Sequence, residues 1–343
     1  MARPLSGILG SGVKVFPQDL LDGGASGPMV KKDGNYWFVD GDAGGDGGGR
    51  SWQDPFKLIA SAITASSAGD VIYIAERTIT AAATDPISYE ENLTIPNAKS
   101  SLSLIGVSRG RTQGGMPQLK DGTTTTQEIL RVRAPGCLIK NLGFNGAGNT
   151  GGGILLDESV SGYNAWGTTI AGCHFKNCKG ATATDSRTGG AIMWTSNGGA
   201  WQVLILGNRF YKNVGDIVLK GTSASRPQDV VIESNHFSPI GASTDSNIYL
   251  AAGSGVNGVT INNNTFGNIP ALGSGSVVRY IDVTGCVGMI TNNMFGCPIN
   301  ATDTELTFGA AGTACKVPTT VAMMNNWGNS NTVGETAEVI HIA

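Results

Sequence analysis

Three charged residues are spaced to meet across one groove. Asp157 and Lys220 end short aliphatic runs, Ile154-Leu-Leu-Asp157 and Ile217-Val-Leu-Lys220, and Asp282 lies in a looser run from Val277 to Val283. If these runs are strands of successive layers, Asp157 and Lys220 stand two layers apart, about 9.5 Å at the usual strand spacing. Hydrolysis of a glycosidic bond needs two carboxyl groups about 5–9.5 Å apart. Lyase chemistry needs a base with charge stabilisation by Arg, Lys or calcium. Charges at strand ends are also common as solvated edge residues. The sequence leaves both readings open.

Other side chains suit binding. Tyr163 and Trp166 in one loop, Trp201 before a strand and Tyr211 after Phe210 offer flat rings of the kind that pack on sugar faces, and each also suits ordinary loop packing. His174 and His236 immediately precede aromatic residues and are expected to point outward as surface residues, with His341 the third histidine. Asp40, Asp42 and Asp46 loosely resemble a calcium loop but lack its later acidic ligand, so a plain turn is expected and no cofactor is called for. The run Gly146 to Gly153 has no Lys-Ser/Thr after it and is no phosphate loop. Cys137, Cys173, Cys178, Cys286, Cys297 and Cys315 have no metal-type pairing and are expected as buried free thiols.

What must hold these residues is a repeat. An aliphatic residue is followed three positions later by Asn and two further on by Phe in Ile205 to Phe210, Ile232 to Phe237, Ile261 to Phe266 and Ile290 to Phe295. Ile170 to Phe175 carries Cys173 at the Asn place, Ile139 to Phe144 carries Asn141 one position early, and Asn325 with Trp327 ends the series. The aromatic positions 144, 175, 210, 237, 266, 295 and 327 are 31, 35, 27, 29, 29 and 32 residues apart. This is one unit per coil of a solenoid, with loop insertions. Asn tolerates the left-handed conformation of a sharp turn. In stacked coils Asn208, Asn235, Asn264, Asn293 and Asn325 can also bond to one another as a ladder. A second strand follows each aromatic. Period-two alternation turns Leu155, Met193, Val218 and Tyr249 outward, an apolar stripe that must be covered by a second copy of the chain or by its own loops. A homotrimer is expected.

The expected fold is all-β: a right-handed parallel β-helix with an N-terminal capping helix. Residues 1–35 form an arm, 36–100 the capping segment and first coils, and 101–343 the remaining coils. Asp54-Pro55 reads as an N-cap with Pro at the first helical position, and Phe56, Ile59, Ala60 and Ile63 share a helical face that ends at Gly69. Only 14% of residues are charged, against roughly 25% in ordinary domains. The net charge of −3 argues against a nucleic-acid partner. No run is apolar enough for a membrane span, and Met1 to Val15 lacks the core of a secretory signal.

The order Tyr36-Trp-Phe-Val39, a Gly/Asp loop, "SWQDPFKLIASAI", "GDVIYIA", "SLSLIGVSRG" and the N-x-F coils resembles the pectate-lyase-like parallel β-helix superfamily. The resemblance runs from about Tyr36 to the end and implies fold more than activity, since the superfamily includes lyases, glycosidases and phage tailspikes. In its tailspike members an N-terminal arm fixes the spike to the particle. The expectation is therefore a homotrimeric virion protein, held to other virion proteins by residues 1–35 and binding a host-surface polysaccharide. The alternatives are a secreted polysaccharide lyase or glycosidase, and a capsid decoration without ligand.

Overall fold

The computed structural model describes residues 34–79, 86–108, 116–146, 149–180, 189–194, 199–220, 226–238, 246–251, 255–267, 270–271, 280–296, 299–300, 315–328 and 338–339. Nearly all of the expected arm lies outside these residues, as do Cys297 and His341. Within them the chain winds through three sheets in a fixed cyclic order. The first sheet has ten strands, from Tyr36–Val39 to Val321–Met324. The second has ten, from Ser88–Glu90 to Glu338–Val339, and the third eight, from Leu93–Ile95 to Cys315–Lys316. Neighbours pair in parallel everywhere in these three sheets except where Glu338–Val339 runs antiparallel to Trp327–Gly328. This is a parallel β-helix. No helix among the described residues is long and apolar enough to cross a membrane.

The repeat sets the register. Ile139, Ile170, Ile205, Ile232, Ile261 and Ile290 pair in sequence on the first sheet and point into the core. On the second sheet Phe144, Phe175, Phe210, Phe237, Phe266 and Phe295 form one buried column, with centroids 4.6–5.2 Å apart and planes within 13°. That separation is the strand spacing, so the rings stack because the backbones do.

The corner between these two sheets divides two tasks that the sequence assigns to one asparagine. The left-handed residue is the one before the ladder position: Asn141, Gly172, Gly207, Ser234, Asn263, Asn292 and Asn325, with φ from 51° to 61°. The next residue makes the ladder. Asn208, Asn235, Asn264 and Asn293 each donate backbone N–H and Nδ2 to Oδ1 of the following member at 2.9–3.1 Å. Each also donates Nδ2 to the carbonyl of the isoleucine one coil back, Ile170, Ile205, Ile232 and Ile261 in turn. The last member is Asn326, which corrects the expectation for Asn325: pairing of Ile290 with Met323 shifts the final phrase by one. Gly328 then stands opposite Phe295, and Trp327 lies on the outer surface.

The helix is shorter than expected. It spans Ile59–Ala65, preceded by Leu58 without a side-chain cap. The carboxylate of Glu91 accepts from the Ile59 and Ala60 N–H groups instead, while Asp54 accepts from Gly48. Ile59, Ala62 and Ile63 join the core.

The outward stripe is covered within one chain, which corrects the expectation of an open subunit interface. Leu155, Met193 and Val218 are buried and form a cluster separate from the core, with Tyr249 packed against it. An apolar row on a solvated face is stable only when such cover exists. The described cysteines Cys137, Cys173, Cys178, Cys286 and Cys315 are free and buried, and burial pushes the thiols of the first three up to about 12.

A second polar site lies inside the stack. Asp216 is buried, and its carboxylate accepts from Asn213 Nδ2 at 2.8 Å and Asn247 Nδ2 at 2.7 Å. Burial pushes the carboxyl up to about 7 against those two hydrogen bonds. Asn247 Oδ1 has no partner, so rotating that amide supplies an acceptor for the protonated acid.

Two outcomes follow in chemical denaturation. Asn264→Ala strands the backbone and Nδ2 donors of Asn235 and removes the Nδ2 bonds to Asn293 and Ile232, while the backbone N–H of residue 264 still reaches Asn293 Oδ1, and is expected to lower stability by about 3–5 kcal/mol. Asn263→Gly, at φ 54°, is expected to be neutral or slightly stabilising. Because the folded pKa of Asp216 is raised from 3.8 to about 7, its contribution is full below pH 3.8 and is lost as pH rises to 7. Asp216→Asn is expected to flatten that decline in a pH series of unfolding midpoints.

Candidate functional site

The sequence candidates separate onto two rows of the third sheet's outer face. Ile154 pairs with Ile192 and Ile192 with Ile217, so Asp157 and Lys220 occupy one position two coils apart. The carboxylate of Asp157 engages the coil before it: Arg133 Nε donates to Oδ2 at 2.7 Å and Arg131 Nε lies 3.7 Å away. The Ser159 N–H and hydroxyl donate to Oδ1 at 3.0 and 2.6 Å. Burial opposes ionisation of Asp157, but the hydrogen bonds from Ser159 and Arg133 outweigh it and hold the carboxyl below its usual range. Asp157 is thus an ionised anchor rather than a proton donor.

Asp282 lies on the other row, which corrects its expected alignment with Asp157. It pairs with Tyr249 and Lys316 in register and continues the Leu155 stripe. Its Oδ1 accepts from Thr284 N–H and hydroxyl, and Lys316 Nζ is 3.5 Å from Oδ2. The aspartate loop is also held by its own chain. Asp42 binds Arg77 and Thr78, and Asp46 accepts from Lys57 N–H. No group of three metal-ligating side chains occurs among the described residues.

His174 and His236 do sit on the outer face of the second sheet, each paired with Arg209, and Tyr211 pairs with Lys176 beside them. His174 is nevertheless buried, contrary to its expected surface place. Burial and the charge of Arg209 lower the pKa of His236.

Three of the four candidate aromatics, Tyr163, Trp166 and Trp201, lie at the corner between the third and first sheets, whereas Tyr211 is on the second sheet. Gly136 N–H donates to Trp166 O at 2.9 Å, and Gly167 N–H donates to Trp201 O at 2.7 Å. Trp166 and Trp201 therefore hold the same position in adjacent coils, 45% and 50% exposed. In coils of this regularity equivalent backbones lie about 4.8 Å apart. Tyr163, three residues before Trp166, lies under the Arg133 guanidinium at 4.2 Å from its ring centroid. The loop carrying Tyr163 is pinned by Asn164 N–H to Arg133 O, by Asn97 Nδ2 to Gly162 O, and by Glu158, which accepts from Ala165 N–H at 2.9 Å. Glu158 also takes a backbone hydrogen bond from Gly199, two residues before Trp201. One half-buried carboxylate thus ties the two tryptophan-bearing turns together.

The sequence reading missed Arg131, Arg133, Glu128, Glu158 and Ser159. Glu158 and Ser159 follow Asp157 after the strand Ile154–Leu156. Arg131 lies in the strand Leu130–Val132, flanked by Glu128 and Arg133. That strand precedes the recognisable phrases, yet the alternation Ile129-Leu-Arg-Val-Arg133 was a usable signal. So was the interval from Trp166 to Trp201. It equals the 35 residues between Phe175 and Phe210 and marks the same pair of coils. What results is a ridge with two exposed indoles, a fixed phenol and a compensated Arg–carboxylate cluster, suited to holding a ring-shaped polar ligand.

No family model matches the chain, and no curated protein matches it in sequence. Solved structures do match. A GH136 lacto-N-biosidase from Eubacterium ramulus aligns with a TM-score of 0.56 at 12% identity, over 86% of this chain and 56% of the biosidase, so the chain spans little more than half of that protein. An alginate lyase from Paenibacillus sp. str. FPU-7 aligns at TM-score 0.46 and 14% identity over 79% and 96% of the two chains. ORF18 of Geobacillus virus E2 aligns at TM-score 0.43 and 12% identity over 88% and 62%. At such identities the likeness is one of architecture alone, and the shared architecture is the parallel β-helix.

Proposed function

We propose that the protein binds a polysaccharide along the corner that carries Trp166 and Trp201. The observation that carries this reading is their placement: two half-exposed indoles at one position of adjacent coils, braced by Glu158 and flanked by Tyr163 on Arg133. Two exposed indoles at one position of adjacent coils offer a flat apolar surface, and sugar rings present C–H faces that suit it. A continuous edge of a solenoid also suits a polymer, since neighbouring coils supply neighbouring subsites.

Both carboxylates of the ridge are held by donors of this chain, Asp157 by Arg133 and Ser159 and Glu158 by the backbone N–H groups of Ala165 and Gly199, so the reading at the ridge is one of binding. The setting proposed with this activity is a virion-borne spike attached through residues 1–35 and presenting the lateral ridge to a host-surface glycan. With the Leu155 stripe covered, a trimer of such spikes uses another surface.

Affinity electrophoresis through gels cast with a panel of polysaccharides tests the reading. At least one polymer is expected to retard the wild type. Trp166→Ala and Trp201→Ala should each weaken that retardation about tenfold, the loss typical of one aromatic contact. Trp327→Ala, also exposed but on the last coil, should leave it unchanged. Equal loss in all three variants, or no retardation by any polymer, would refute the proposal.

A further inference from the structure

We infer that the outer face of the second sheet carries an oxyanion site centred on Arg209, suited to the sulfate or carboxylate groups of an anionic glycan. Phe210 points into the core column, so Arg209 and Tyr211 on either side of it point outward, and both are exposed. In register with Arg209 stand His174 on the coil before and His236 on the coil after. Among the described residues no hydrogen bond or ion pair engages the Arg209 guanidinium. It lies close enough to His236 for its charge to add to burial in lowering that pKa. On the neighbouring row Tyr211 stands beside Lys176, and Lys212 Nζ lies 5.2 Å from the Tyr211 ring centroid. A guanidinium with its fork of donors open matches the paired oxygens of an oxyanion, while the flanking cations and the phenol ring offer further charge and a face for the sugar.

The net charge of −3 does not describe this face. Lys176, Lys179, Arg209 and Lys212 gather on two adjacent coils. The acids in the strands of this sheet are Glu90, four strands from Arg209, and Glu338, five strands away on the other side. At the usual strand spacing they stand about 19 and 24 Å off, well beyond the ~8 Å over which charge acts in physiological salt. Glu90 is also engaged by Lys120 at 3.2 Å. Asp216 is buried in the stack and held by Asn213 and Asn247. Segments 181–188 and 239–245, outside the described residues, carry Arg187, Asp185 and Asp245 in sequence, so cations around Arg209 remain in excess even when all three are counted. The site is separate from the tryptophan ridge, which lies at the one corner of the coil that the second sheet does not form.

The test measures binding of the full chain to immobilised dextran, dextran sulfate and carboxymethyl dextran, which share one neutral backbone, at about 0.15 M ionic strength so that diffuse attraction is screened. Wild type is expected to prefer at least one anionic form over dextran by about tenfold or more, the scale of one charge-assisted hydrogen bond, and which form it prefers identifies the oxyanion. Arg209→Gln should abolish that preference, and Arg209→Lys, which keeps the charge and loses the fork, should reduce it. Lys212→Asn should also reduce it and serves if Arg209→Gln does not fold. Asn177 holds the equivalent corner position one coil earlier, at φ 54° against 53° for Lys212, so that exchange suits the backbone. Lys57→Gln, which removes an exposed cation elsewhere, and Trp166→Ala should leave the preference unchanged. No preference for either anionic form, or equal loss in Arg209→Gln and Lys57→Gln, would overturn the inference. Abolition by Trp166→Ala would overturn it as well, by moving the anion to the ridge.

Discussion

A buried amide that can be satisfied only by an identical amide one coil away constrains everything stacked around it. Each ladder asparagine has its oxygen and both kinds of nitrogen engaged by neighbours above and below. Sliding one coil by a single residue would strand these donors and acceptors in the interior, where each unmade hydrogen bond costs about 1–3 kcal/mol. The isoleucine rows, the phenylalanine column and the outward rows inherit their alignment from that requirement. So does the site, because Trp166 and Trp201 meet only when their coils are in register.

The architecture was legible because its signals recur. Phe210, Phe237, Phe266 and Phe295, each two residues after an asparagine, repeat the same constraint, and the structure returns them as one column. The last phrase misled for a physical reason. Asn325 and Asn326 are adjacent asparagines at a corner where one residue takes the left-handed turn and the next the ladder, and the types alone do not say which is which. The helix start misled differently: Asp54 caps nothing, because Glu91, 32 residues from Ile59 in sequence, fills the role across space.

The candidate site was legible in its parts and not in its assembly. Tyr163, Trp166, Trp201 and Asp157 were recognisable as chemistry-bearing residues, but nothing local says that Asp157 engages Arg133 rather than Lys220. That choice depends on which side of Asp157 offers a closer donor, a matter of coil order and side-chain reach. The apolar stripe shows the same limit. Leu155, Met193 and Val218 advertise a need for cover, and alternation along a strand cannot name what provides it.

The sameness of the ladder rungs has an evolutionary corollary. A rung bonds only to the rungs beside it, in the same pattern each time, so a whole coil between Asn208 and Asn293 can be duplicated or deleted with each new junction resembling the old ones. The length of the molecule is in that sense a free variable under selection. The tryptophan ridge is not. It is written into two particular coils and the turn that Glu158 clasps between them, so lengthening the stack moves the ridge relative to the ends without enlarging it. Reach and recognition can therefore drift independently in descendants of this chain.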